Sequence, residues 1–531
     1  MTEQYDAIVV GSGAGGAAVA YKMVQAGRRV LVLEKGDHLP RDGTTLDTKK
    51  VFKEGVFKNK EPWVDGENKV FIPGEFYNVG GKTKWYGAAL LRFEPHEFEA
   101  DEAHQCLGWP FSYDALAPYY DEAERLLDVH TFENEPELQA LLDRIVSGDS
   151  AWKPEPLPLG LKMEIVNHEE EAKHFDGFAS ACGYKSDAEW NLLDRVADSP
   201  NLTLLTGKEV MGLLPDGGEA EIIAGVRCKD GSTYRANAVV LAAGAMTSPR
   251  VLQDYLGETG LDQSLTCAPA VGANFKYHIN SAVLGFSPFT NEDVLRKTAI
   301  LYNEKFPHST IQCLGWIDGN ILGAQLPAAV PKFVTRALGA RAFGFFATTE
   351  DGSHPDNRIV SCGGAALPLM DYDLERLKPA HREHRKLIRA FTARLLRAGL
   401  AGVDQYMGMA GTAHALGSMV TGTDPETTVV DANGKVHGLE NLYVGDGSVL
   451  PRSSRVNPAL TIYAWGLRLG HHLASRQARP HHIEQPVFRM NTMRSSFALP
   501  LEHPQKSTQI TGFRYTHLLN PVIQRMSALG H

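Results

Sequence analysis

Ala7–Val10 is a short apolar run of strand type that stops at Gly11. The small and apolar stretch Ala14–Gln25 suits a helix, and Gly27 is placed to end it. Arg29–Leu33 is a second apolar run, closed by Glu34. Strand, helix and strand at this spacing predict a parallel unit. Strand character returns at Asn201–Thr206, Ile222–Cys228 and Ala238–Ala242. The run from Ala238 to Ala243 is apolar throughout, as a parallel strand buried on both faces should be. Gly244 and Ala245 follow it, and Ser248-Pro249 can start a helix, which repeats the strand–glycine–helix crossover. The expected class is α/β, built on a doubly wound, mainly parallel sheet.

The pattern changes between about 266 and 405. Short alternating segments such as Ser309–Trp316 and Ala342–Thr348, with frequent Gly and Pro, predict an inserted domain with a mixed or antiparallel sheet plus helices. Ser112–Val129 reads as one or two helices, with Pro118 suited to start the second. Pro379–Leu400 predicts an amphipathic helix with Leu387, Ile388, Phe391, Leu395 and Leu396 on one side. Residues 37–75 are polar and irregular, either a lid or a solvated loop. Beyond Leu473 the pattern weakens, and the last stretch holds five prolines from Pro480 to Pro521.

Composition narrows the class without naming a chemistry. The chain has 531 residues, 43% hydrophobic and 22% charged, as in an ordinary globular enzyme. A formal charge of −10 argues against a nucleic-acid groove or an anionic membrane surface. Six cysteines are scattered without a zinc spacing, so no metal site is expected. No apolar stretch is long enough to span a bilayer. Little sequence precedes the first strand, so no leader peptide is expected and the cytoplasm is the expected compartment.

Gly11, Gly13 and Gly16 form G-x-G-x-x-G between the first strand and the first helix. The first glycine permits a tight turn, the second lets backbone approach a pyrophosphate, and the third lets helix pack on strand. The helix N-terminus favours the phosphate charge. Glu34 can accept hydrogen bonds from ribose hydroxyls and would repel a 2′-phosphate, which favours FAD or NAD over NADP. The unit therefore reads as a Rossmann-like dinucleotide fold.

Several further segments resemble, in family order, the glucose–methanol–choline family of flavoprotein oxidoreductases. They are Gly80–Ala88 (GGKTKWYGA), Val239–Leu252 (VVLAAGAMTSPRVL), His414–Asp431 (HALGSMVTGTDPETTVVD), Asn441–Pro451 (NLYVGDGSVLP) and Asn457–Thr461 (NPALT). The resemblance implies bound FAD and alcohol oxidation, with His414 as catalytic base and Asn457 as its partner. It also implies cofactor contacts from Gly11, Ser12, Gly13, Gly16, Glu34, Gly80, Gly81, Thr83, Lys84, Trp85, Gly87, Ala88, Val210, Gly244, Gly445, Asp446, Asn457 and Pro458. A neutral histidine suits proton removal near pH 7, and an asparagine amide can donate to an alkoxide-like oxygen. Asn457, next to Pro458, also suits a helix N-cap. Relatives that bind flavin covalently through histidine carry it in the second Gly-rich loop, whereas Val79–Leu91 holds none, so the FAD is expected to be non-covalent. Ser418, Thr421 and Ala459 depart from residues common in the family.

The implied division is an FAD-binding domain of 1–100, 196–265 and 424–480, a substrate domain of 101–195 and 266–423, and an extension of 481–531. The expected substrate is a small-molecule alcohol, with a sugar or glycoside secondary hydroxyl leading, and the acceptor is oxygen or another oxidant. Gln312, Trp316 and Gln325 are candidate sugar contacts, and a homo-oligomer is left open. The alternatives are a hydrophobic or primary alcohol, a non-catalytic flavoprotein, and an NAD-dependent dehydrogenase that would give the C-terminal blocks no role.

Overall fold

The computed structural model describes residues 4–325, 330–363, 366–408 and 414–476. The extension 481–531 and the side chain of Gln325 lie outside the described residues. The first apolar run forms strand β1 (Gln4–Val10), the helix that follows is α1 (Ala14–Gln25), and the second run is β2 (Val30–Leu33). β1 pairs in parallel with β2 on one side and with Thr233–Leu241 on the other. Leu202–Leu205 extends the sheet in parallel beyond β2, and Leu442–Val444 runs parallel to the end of Thr233–Leu241. Val210–Asp216 and Glu219–Cys228 complete the seven strands as an antiparallel meander. Ala7 to Val10 and all of β2 are buried, as strands covered on both faces require.

The C-terminal helix Ala459–Ser475 lies close against α1. A Cβ on Gly466 would come within 2.5 Å of the Gly15 carbonyl O, and one on Gly470 within 2.9 Å of the Val19 carbonyl O. These glycines, one turn apart, let the two backbones meet. The closing strand Leu442–Val444 leads into Gly445, whose carbonyl O lies where a Cβ on Gly15 of α1 would fall.

The region of alternating short segments forms a six-stranded antiparallel sheet. Its order is Ala401–Tyr406, Ile279–Phe286, Ala342–Thr349, Ser309–Cys313, Ala299–Asn303 and Trp152–Pro156. The predicted amphipathic helix spans Lys378–Arg397, with Pro379 in its first turn, and buries Leu387, Ile388, Phe391 and Leu395. Leu396 departs from the expected stripe and is 68% exposed, because the buried face of this helix is set by the sheet beneath it. Pro118 opens the helix Ala117–Leu126 as expected.

Residues 37–75 are less irregular than their composition suggests. Trp63–Asp65 and Val70–Phe71 join Arg358–Val360 and Leu369–Asp371 in a four-stranded sheet. Trp63 is the buried anchor of that sheet. Trp63–Asp65 pairs locally with Val70–Phe71, but its other neighbour, Leu369–Asp371, comes from some 300 residues downstream, which no local pattern foretells.

Candidate active site

At the first glycine turn, Gly11 has φ +101°, and a Cβ there would lie 2.5 Å from the Ala242 carbonyl O. A Cβ on Gly16 would lie 2.1 Å from the Gly11 carbonyl O. Both positions are closed to any side chain. Gly13 is the opposite case, for a Cβ there would meet nothing within 4 Å. It is also the N-cap of α1, with no side-chain cap and no acidic residue in the first turn. An open space facing uncapped helix N–H groups fits a pyrophosphate. Gly15, outside the motif, is equally constrained, since its Cβ would fall 1.7 Å from the Gly445 carbonyl O of the closing block.

Glu34 receives the Ser12 N–H at 3.0 Å and the Ser12 hydroxyl at 2.6 Å on one oxygen, and the Gly36 N–H at 2.9 Å on the other. Burial raises its pKa, and these bonds partly offset the shift. A carboxylate offers about four acceptor sites, and these donors take most of them, which leaves limited capacity for a ribose. Val210 lies beside this end of the site, where Lys208 N–H bonds the Glu34 carbonyl at 2.8 Å and Gly207 N–H the Gly36 carbonyl at 3.3 Å.

The second glycine loop docks on the first. Gly80 N–H donates to the Ser12 hydroxyl at 3.1 Å, and a Cβ on Gly81 would sit 3.2 Å from Gly13 Cα. Gly80 and Gly81 take φ of +85° and +54°. The side chains that follow are occupied by protein. The Thr83 hydroxyl donates to the Gly80 carbonyl at 2.6 Å and accepts the Ala188 N–H at 3.0 Å. Lys84 is buried in ion pairs with Asp187 at 3.0 Å and Glu189 at 2.5 Å. Trp85 donates to Asn78 at 2.9 Å and stacks on Phe76. Backbone is what this stretch has left to offer a cofactor. Gly87 is packed under the Lys297–Asp176 ion pair, where a Cβ would lie 2.1 Å from Lys297 Nζ, and Ala88 takes the left-handed φ of +52°.

Asp446 closes the cradle. One of its oxygens accepts the Gly244 N–H at 2.8 Å and the Ser248 hydroxyl at 2.5 Å, and the other accepts the Ser448 N–H at 2.9 Å and the Ser448 hydroxyl at 2.5 Å. Its carboxylate latches the closing strand to the second crossover. Gly244 has φ +87° and open space where a Cβ would be. The residues around the glycine turns therefore fit an FAD, presenting backbone N–H groups and open space at Gly13 and Gly244.

His414 and Asn457 meet at the edge of this cradle. Asn457 Nδ2 lies 3.5 Å from His414 Nε2. Gln312 donates its amide to Asn457 Oδ1, so the Asn457 amide presents its N–H₂ towards His414. Asn457 does not cap the helix Ala459–Ser475, whose N-cap is Pro458 with no side-chain cap, because its amide is committed to Gln312 and His414. His414 Nδ1 lies 2.6 Å from His278 Nδ1. Burial first, then His278, Lys82 and Lys297, hold the His414 pKa well below the usual histidine value, so the ring is neutral at pH 7. Gln312, a candidate sugar contact, thus holds the asparagine. Trp316 lies between Arg296 at 4.0 Å and Lys173 at 4.3 Å from its ring centre.

A family model described as "FAD dependent oxidoreductase" matches residues 6–289, more than half of the chain, and one described as "GMC oxidoreductase" matches residues 371–466. The chain belongs to the FAD-dependent GMC oxidoreductases. It is 28% identical over 522 residues to a 6'''-hydroxyparomomycin C oxidase of Streptomyces lividus, covering 89% of this chain and 92% of that protein. It is 29% identical over 513 residues to a paromamine 6'-oxidase of Streptomyces fradiae, covering 87% and 90%. Its fold resembles the crystal structure of pyridoxine 4-oxidase from Mesorbium loti, with a TM-score of 0.61 at 18% identity over 88% of this chain and 99% of that one.

This GMC oxidoreductase satisfies two of its departures with backbone carbonyls. Ser418 is buried and donates to the Ala245 carbonyl at 2.6 Å, and Thr421 donates to the Asp431 carbonyl at 2.9 Å. Sequence reasoning missed His278, the Lys297–Asp176 pair, and the Asp187 and Glu189 carboxylates that hold Lys84. None lies in a motif. The one available signal was negative: a histidine between Tyr277 and Ile279, in an otherwise strand-like stretch, needs a partner if buried.

Proposed function

We propose that this oxidoreductase oxidises a hydroxyl of a sugar or glycoside to the carbonyl, with His414 as the base. The observation that carries the reading is the convergence of a neutral His414 Nε2 and the oriented Asn457 Nδ2 beside the glycine cradle. His414 Nε2 takes the proton of the substrate O–H, and Asn457 Nδ2 donates to the oxygen that is left negative. Gln312 keeps the amide from flipping. FAD bound in the cradle supplies the acceptor for the hydride of the adjacent C–H bond. The residues we assign to it are the glycines of both loops, Ser12, Glu34, Gly244, Gly445 and Asp446, through backbone groups and the remaining capacity of Glu34.

The sugar class is supported by two relatives named for aminoglycoside oxidation that align over most of both chains. The primed positions in those names are exocyclic carbons in hexose numbering, which favours testing a primary hydroxyl beside the ring secondary hydroxyls. The absence of histidine from Val79–Leu91 supports a non-covalent FAD, and oxygen is the acceptor that the relatives' names favour.

The test is anaerobic mixing of the FAD-loaded protein with a panel of sugars, glycosides, polyols and apolar alcohols, followed by air. Bleaching by a sugar or glycoside, lost in His414→Ala with FAD still bound, is expected, and rapid recolouring in air identifies an oxidase. Bleaching by apolar alcohols alone would replace the substrate class. An FAD that remains attached after denaturation of the protein would overturn the non-covalent assignment.

A further inference from the structure

His278 begins a buried chain of hydrogen bonds that ends at the reacting atom of His414. It precedes the strand Ile279–Phe286 and is fully buried. Its Nε2 lies 3.0 Å from the Ser453 carbonyl O and 2.7 Å from the Ser454 carbonyl O. A carbonyl only accepts, so the ring proton of His278 is on Nε2. Burial disfavours a charged ring, so His278 is neutral and its Nδ1 is a lone pair. That lone pair faces His414 Nδ1 at 2.6 Å. Two lone pairs cannot face each other at this distance, so His414 Nδ1 carries the proton and donates it. His414 is itself held neutral, which leaves Nε2 as the bare nitrogen, on the side of Asn457.

We propose that His278 is a positioning residue that fixes the tautomer of His414 and so makes its Nε2 the base. The proposal rests on the reading of His414 as the base. The backbone that aims two successive carbonyls at one nitrogen is itself constrained. Ser454 has φ of +66°, a conformation that costs a non-glycine residue free energy and persists only where surroundings enforce it. Here the enforcing bonds are the Ser454 hydroxyl to Glu97 at 2.6 Å and the Ser454 N–H to Glu350 at 3.1 Å. Arg452 holds Glu350 in turn, at 2.7 and 2.8 Å, and Glu97, Glu350 and Arg452 are all buried. Ser453 is tied to the same segment by the Asp351 N–H at 2.9 Å. During proton removal the O–H bond breaks, its electron pair stays on the substrate oxygen, and the proton ends on His414 Nε2. The Nδ1 proton stays shared with His278, whose Nε2–H remains on the two carbonyls, so the positive charge formed on His414 faces a chain of acceptors.

Two variants of the FAD-loaded protein test this. His278→Leu removes the acceptor for His414 Nδ1–H, while His278→Asn places an amide oxygen near the position of the lost Nδ1. The rate of flavin reduction at saturating substrate is expected to fall about 10²-fold or more in His278→Leu, with bound FAD and substrate Kd unchanged, as when the group that orients a catalytic histidine is lost. His278→Asn is expected to recover most of that rate. Independently of substrate, ¹⁵N spectra of histidine-labelled protein, with His414→Ala identifying the His414 signals, should show Nδ1 protonated and Nε2 bare in wild type and in His278→Asn. The same spectra in His278→Leu should show Nε2 gaining protonated character. A wild-type His414 protonated on Nε2, or a His278→Leu protein that loads FAD and is reduced at the wild-type rate, would overturn the proposal. If His278→Leu does not fold, the wild-type spectrum and His278→Asn still decide it. If no alcohol reduces the wild-type flavin, the oxidation reading fails while the spectrum still reads the tautomer.

Discussion

Around Gly11, Gly13, Gly15 and Gly16 the chain builds its site by omitting side chains, whereas around His414 it builds by burying them. At Gly15 a single methyl group would fall 1.7 Å from a carbonyl oxygen. At His414, by contrast, the buried His278 and Gln312 and the half-buried Asn457 are joined to it by a chain of hydrogen bonds. The two regions are held by different physics. Backbone packing in the cradle is governed by sterics, which are short-ranged and unforgiving. The base depends on an ordered hydrogen-bond chain in low dielectric, where one lost partner changes protonation rather than shape.

The largest effect should come from the base. His414→Ala is expected to lower the rate of flavin reduction about 10²- to 10⁴-fold, the usual worth of a positioned base, while the FAD absorbance per protein stays unchanged. A matched loss of FAD would erase the distinction between the two regions.

The cradle should fail differently at neighbouring glycines. Gly15→Ala is expected to destabilise the fold by about 3 kcal/mol through overpacking against Gly445. Gly13→Ala has open space and should keep the fold while weakening FAD binding, since its methyl enters the space facing the helix N-terminus. Denaturant midpoints of the apoproteins together with FAD titration separate the two. Equal stability losses would refute the assignment of the open space at Gly13 to the cofactor.

A third test uses a buried histidine far from any motif. His384 sits between the Ser281 and Thr349 hydroxyls at 2.9 Å each, and burial holds its pKa down to about 3. An unfolded histidine takes up a proton below about 6.5, so between that value and about 3 the unfolded state binds the extra proton. Stability contributed by the neutral ring is present above the unfolded pKa and is lost as pH falls through this window. The expected slope for one such group is about 1.4 kcal/mol per pH unit. His384→Gln should flatten it by that amount in denaturant melts across the window, and an unchanged slope would contradict the buried neutral assignment.

The smallest effect is expected at the link to Asn457. Gln312→Leu removes the donor to Asn457 Oδ1 and should lower the reduction rate about 10-fold, as loss of an orienting partner commonly does. Reduction at the wild-type rate would show that the asparagine holds its orientation unaided.

The contrast between the two regions also explains what was legible in the sequence. The parallel sheet, α1 and both glycine crossovers could be read because each demands local features: apolar runs for doubly covered strands and glycine where φ is positive. The four-stranded sheet that includes Trp63–Asp65 could not, since its strands are two or three residues long and its two local pairs are joined only by the distant pairing of Trp63–Asp65 with Leu369–Asp371. Gln312 was readable as a residue near the site, yet its partner was not. A strand glutamine carries no mark that distinguishes a sugar contact from a neighbour of Asn457.

The sequence by itself determined the dinucleotide cradle and its FAD chemistry, because the constraints there are steric and local and leave glycines at fixed spacing, and its family resemblance singled out His414 as the candidate base. Only the tertiary structure decided which nitrogen of His414 is bare. That depends on His278, 136 residues before it, and on the carbonyls of Ser453 and Ser454, 175 and 176 residues beyond His278. A tautomer is set by whichever acceptor the fold buries beside the ring, and burial of that kind has no period and no motif.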